Sequence, residues 1–92
     1  MVRTPRVQTT TGLGFRQNIA VVLLYGEHDY GSRRMLEGEL APLVGTVVVD
    51  LAWCEFLDSS IIAIILAKNA ELRRAGDHLE VIIPAAQEQD HS

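Results

Sequence analysis

The chain has 92 residues, enough for one domain with a single sheet and a few helices, and 48 % of them are apolar, which excludes a disordered chain. A net charge of −4 from one Lys, seven Arg and twelve acidic residues excludes the basic face that a nucleic-acid backbone requires. The longest apolar run, Ile61 to Ala67, is far below the ~20 residues of a membrane span, so neither nucleic acid nor membrane is expected as a partner.

Residues 1–12 (MVRTPRVQTTTG) show no apolar periodicity and are expected to form a flexible, solvated N-terminal tail. Leu13 to Arg16 is expected as a short strand, with a tight turn at Gln17-Asn18 leading back in a hairpin. Ile19 to Tyr25 (IAVVLLY) is a continuous aliphatic run, the pattern of a central strand covered on both faces. Gly26 should break it.

Ser32 is placed to cap a helix from Arg33 to about Leu40, in which Leu36, Leu40 and then Leu43 recur at helical spacing. Pro42 and Gly45 end that element, and Thr46 to Leu51 (TVVVDL) predicts a second buried strand followed by a loop over Ala52 to Leu57. Asp58 or Ser59 then caps a helix from Ser60 to Ala75, with Arg73 and Arg74 at the negative end of its dipole and Gly76 as its stop. The run Ile61, Ile62, Ile64, Ile65 and Leu66 is apolar nearly all round, so most of it is expected against the sheet, with Ile61 left exposed at the rim. Leu79 to Ile83 predicts another strand. Pro84 to Gln87 begins a further helix, and 88–92 form a polar tail.

This order calls for an α/β fold: a mixed four-stranded sheet made of an N-terminal hairpin plus the parallel strands of a βαβαβ unit, with helices packed on it over residues 13–87. In such sheets ligands and partners gather beyond the carboxyl ends of the strands, which here lead into Gly26–Asp29 and Trp53–Ser60. Two distant segments therefore share one rim.

Two motifs on that rim resemble the STAS domain family of bacterial anti-sigma factor antagonists, across roughly Leu13 to Ile83. VVLLYGEHD is similar to the family's strand followed by Gly-Glu-Leu-Asp, with Gly26, Glu27 and Asp29 matching and His28 in place of Leu. VVVDLAWCEFLDSSIIAIILAKNAELRRAGDHLEVI resembles its strand ending in Asp-Leu, the loop to Asp-Ser-Ser, the following helix, and a Gly before the next strand. Ile61 stands where the family commonly has Gly, and the third helix and later elements that members usually carry are absent or nearly so. The lone Cys54, with an N-terminus lacking an apolar secretion-signal core, reads as a cytoplasmic protein. The resemblance implies a non-enzymatic regulator that binds an anti-sigma factor acting as a serine kinase. It further implies Ser60 as the phosphoacceptor, with Ser59 as fallback, and Asp29, Asp58, Ser59, Ser60 and Ile61 in the partner interface. Self-assembly, or assembly with other STAS proteins, is the alternative, and a small-ligand sensor a third.

No cofactor or metal is expected. His28, Asp29, His78 and Glu80 have scattered spacing that fits no compact metal site, and both histidines are expected at the surface. Gly26-x-x-x-x-Gly31-Ser32 has the outline of a phosphate-binding loop but lacks the Lys before the Ser. Cys54 is alone, without the surroundings of a catalytic thiol, and reads as structural.

Overall fold

The computed structural model describes residues 4–13 and 18–83. In chain order they form β1 (Arg6–Leu13), β2 (Asn18–His28), a 3-10 turn (Tyr30–Ser32), α1 (Arg33–Leu40), β3 (Thr46–Asp50), β4 (Cys54–Leu57), α2 (Ser59–Arg74) and β5 (His78–Ile82). The sheet runs β1-β2-β3-β5, antiparallel between β1 and β2 and parallel elsewhere. The βαβαβ core is therefore as expected from the alternation of aliphatic runs and helical spacing.

Four features differ. First, the sheet has five strands, because β4, expected as loop, pairs in parallel with the end of β2. β3 occupies the flank of β2 from Ile19 to Leu23, and β4 takes it over from Gly26 to His28. The change of partner is made at Gly26, whose φ of 79° suits glycine and whose N–H donates to the Trp53 carbonyl at 3.1 Å. Gly26 thus bends the strand instead of ending it.

Second, the first strand lies earlier than expected: residues 6–12 of the anticipated tail belong to β1, Leu13 ends that strand and Asn18 begins β2. Its Thr-rich, half-exposed sequence carries almost no apolar alternation, so ladder hydrogen bonds to β2 define it more than burial does. The residues of the connecting turn, and the helix anticipated from Pro84, lie outside the described residues.

Third, only one face of β2 is covered. Ala20, Val22, Leu24 and His28 are buried while Val21, Leu23 and Tyr25 are half-buried, because both helices pack on the same side of the sheet. The core is Val22, Leu24, Val47 and Val49 against Leu36, Leu40, Ile61 and Ile65. Fourth, Ser32 makes no side-chain cap to α1, whose start is organised by the preceding 3-10 turn and Asp29.

Candidate functional site

The rim is assembled by the pairing of β2 with β4. His28 is in register with Leu57, and the Asp58 N–H donates to the His28 carbonyl at 3.0 Å. The chain leaving β2 at Asp29 and the chain about to enter α2 at Asp58 therefore lie side by side. Each acidic residue organises its own turn.

Asp29 is extended and accepts from the Gly31 N–H at 2.9 Å through Oδ1, while its carbonyl accepts from Ser32 N at 3.0 Å and Ser32 Oγ at 3.1 Å. Asp58 is extended and is the N-cap of α2. Its Oδ2 accepts from the Ser60 N–H at 2.9 Å and from Ser60 Oγ at 2.6 Å. The Ser60 hydroxyl, then the Ser60 N–H, holds the Asp58 carboxyl below its ordinary value, since both bonds favour the ionised acid.

A carboxylate with a lowered pKa contributes stability that is present above the unfolded-chain value and is lost as pH falls through the folded one. Replacing Asp58 by Ala is accordingly expected to lower Tm at neutral pH. The gap between variant and wild type should narrow as pH drops through the carboxylate range in thermal melts. A gap of constant size would mean that Asp58 does not act as an ionised cap.

Among the predicted site residues, Asp29 and Ser59 are exposed and Asp58 and Ser60 are partly so. Ile61 is not: it has no exposure and sits in the core, so it cannot present a side chain to a partner. The physical reason is phase. Ile61, Ile65, Lys68 and Leu72 form the buried stripe of α2, which turns Ile62 and Leu66 outward, at 42 % and 62 % exposure. Nor does the Ile61 side chain crowd the Ser60 hydroxyl, because it points into the core.

His28 is corrected in the opposite sense, being fully buried where a surface residue was expected. Its Nε2 lies 3.0 Å from the Tyr25 carbonyl oxygen and 3.3 Å from that of Arg6, and Nδ1 lies 3.1 Å from Ser32 Oγ. Two carbonyl acceptors at Nε2 assign a proton to that nitrogen, which leaves Nδ1 as an acceptor competing with the Asp29 carbonyl for the single Ser32 hydroxyl hydrogen. His28 thus ties β1, β2 and the turn carrying Asp29 together from beneath the rim.

Apolar and aromatic groups that sequence reasoning missed flank the acidic turns. Tyr30 is exposed with the Arg33 guanidinium 3.6 Å above its ring, and Phe56 is exposed on β4. Cys54 is half-buried, its thiol pushed up by burial, and its Sγ donates to the Phe56 carbonyl at 3.2 Å, consistent with an inert structural role.

No protein-family model and no curated protein matches the sequence. Solved structures do. The STAS domain of an anti-sigma-factor antagonist from Rhodobacter sphaeroides superposes with a TM-score of 0.63 at 16 % identity, covering 92 % of this chain and 92 % of that one. The chain has the STAS fold. SpoIIAA, a cell fate determinant of Bacillus, matches in its phosphorylated form with a TM-score of 0.67 at 16 % identity, over 94 % of this chain and 78 % of that one. The unphosphorylated form of the anti-sigma factor antagonist SpoIIAA gives 0.68 at 17 % identity, over 89 % and 71 %. Among the described residues, no three His, Cys, Asp or Glu side chains are grouped to hold a metal, and no helix is long and apolar enough to cross a membrane.

Proposed function

We propose that this chain is a protein-docking regulatory domain, an antagonist that captures an anti-sigma factor at the Asp29–Asp58 rim, with Ser60 as the residue at which a serine kinase switches that capture off. The observation that carries the reading is the paired turn. Two carboxylates and two serines, from segments 29 residues apart in sequence, meet at the carboxyl end of the sheet, and exposed Tyr30, Phe56 and Ile62 supply apolar area nearby. STAS structures that are anti-sigma factor antagonists, one of them solved in both phosphorylated and unphosphorylated forms, support the same reading.

A phosphate on Ser60 has a definite local consequence. The group carries about −1.5 to −2 charge at neutral pH. At the helix N-terminus it gains about 0.3–1 kcal/mol from the dipole. Phosphorylation also removes the hydroxyl hydrogen that Ser60 Oγ donates to Asp58, and like charge on the Asp58 carboxylate turns the phosphoryl group outward, into the space a docked partner would occupy. The helix retains its backbone cap, so binding changes while the fold persists.

Incubation with ATP and the anti-sigma serine kinase encoded nearest its gene tests the switch by intact mass. Wild type and Ser59→Ala should each gain one phosphoryl group, and Ser60→Ala none. A wild-type protein that gains nothing excludes the switch, and a group that persists in Ser60→Ala but not in Ser59→Ala moves it to Ser59. Self-assembly is a second reading, favoured by the apolar flank that α2 and β5 leave exposed.

A further inference from the structure

β5 is an edge strand whose outer side is unpaired among the described residues. The direction of its backbone groups follows from two bonds. The Ile82 carbonyl accepts from Leu51 N at 2.9 Å, on the β3 side, while the Leu79 N–H points the other way and is met by Asn69 Oδ1 at 3.1 Å. Because a strand residue directs its N–H and C=O to the same neighbour and alternates along the chain, Val81 and Ile83 direct theirs outward. The outer edge therefore offers a short, phased set of donors and acceptors.

The side chains along this edge are as open as the backbone. Val81 is 41 % exposed and Ile83 67 %, and on the adjoining flank of α2 so are Ile62 and Leu66. From Val81 to Ile83 the strand has no Lys, Pro or bulge of the kind that natural edges use against pairing. β1, the opposite edge, is by contrast rich in Thr, and its Thr9 hydroxyl is tied to Glu39 at 2.6 Å.

We propose that this edge is an isologous interface: two copies of the chain pair their β5 strands antiparallel about a two-fold axis at Val81, making one sheet that continues through both. The register is chosen by Glu80. With Val81 opposite the second copy's Val81, the two exchange N–H and C=O bonds, and Leu79 and the other copy's Ile83 form the next exchanging pair, for which the Leu79 N–H passes from Asn69 to the Ile83 carbonyl. Sliding one step towards the N-terminus would set Glu80 against Glu80, like charges at the closest pair position. In the chosen register Glu80 faces Ile82.

Charge complementarity agrees. β4 and β5 run the same way in the sheet, so α2, which joins them, runs back against β5; the two-fold axis therefore sets the α2 helices antiparallel to each other, and Asn69 beside Leu79 puts the axis near their midpoints. The Asp58 end of each then lies towards the Arg73–Arg74 end of the other, and the Leu66 side chains approach across the axis. A closed two-fold pair uses both free β5 edges and leaves none to propagate.

Sedimentation of the 92-residue protein over a concentration series tests this. Wild type should move from 10.2 kDa towards twice that mass as concentration rises. Val81→Pro removes only an outward N–H, a position where an edge strand tolerates proline, and Leu66→Glu places like charges across the axis. Each should be monomeric with an unchanged circular dichroism spectrum, and Ile83→Lys serves the same purpose should either fail to fold. In a Cys54→Ser background, Val81→Cys should form a disulfide-linked dimer on mild oxidation. A wild type that stays monomeric throughout, or a dimer that persists in the folded variants, overturns the proposal. Failure of the dimer leaves capture at the rim standing, because that reading is tested by phosphoryl gain at Ser60 and requires no second copy.

Discussion

Ile61→Gly, which introduces the residue common after the second serine of the STAS domains that this sequence resembles, is expected to destabilise the domain by about 3–6 kcal/mol. Ile61 has no exposure and packs in the core with Leu24, Leu36 and Ile65. Truncating such a residue to Ala typically costs about 2–5 kcal/mol through lost transfer energy and a residual cavity. Glycine in a helix adds about 1 kcal/mol. Domains of this size hold only about 5–15 kcal/mol in total, so the variant should lose a large share of its stability. Urea unfolding followed by circular dichroism measures the loss directly, and Ile61→Val should lose no more than about 1.5 kcal/mol. If Ile61→Gly were as stable as wild type, Ile61 would not fill the space beneath the rim.

His28→Ala should cost about 3–5 kcal/mol, because it combines a cavity with unsatisfied polar groups. The imidazole is buried, and three oxygens lie within 3.3 Å of its nitrogens: the carbonyls of Tyr25 and Arg6 and the hydroxyl of Ser32. His28→Leu, the family's residue, refills most of the volume without restoring any hydrogen bond. Its stability should therefore fall between wild type and Ala in the same urea experiment, separating the volume from the polar contribution. Equal loss in both variants would assign the whole effect to hydrogen bonding. No loss in either would contradict the burial. Because Ser32 also holds the Asp29 carbonyl, His28→Ala should further loosen the Asp29 turn, seen as faster amide exchange at Gly31 and Ser32.

The β2, α1, β3, α2 and β5 succession was legible in the sequence because each element carries its own period: unbroken aliphatic runs for parallel strands, and leucines three or four apart for α1. The Asp58 cap was legible for the same local reason. What escaped was non-local. β4 exists because β2 has room on its flank beyond Leu23, where β3 has ended, and nothing within CEFL alone signals that vacancy. β1 escaped because a polar edge strand is defined by its partner. The error at Ile61 was one of helical phase. In a run apolar nearly all round, sequence cannot say which isoleucine faces the sheet, and a shift of one residue, about 100° around the helix, exchanges Ile61 for Ile62. His28 escaped because its burial depends on carbonyls from β1 and β2 that only the folded sheet brings to it.

Calorimetric titration of the anti-sigma serine kinase with wild type, Asp29→Lys and Ser60→Asp tests the docking rim most directly. The account predicts one-to-one binding by wild type and a loss of at least about tenfold in affinity for each variant, about 1.4 kcal/mol. Both variants should keep the wild-type circular dichroism spectrum. Unchanged affinity in both variants would contradict the assignment of the rim as the docking surface.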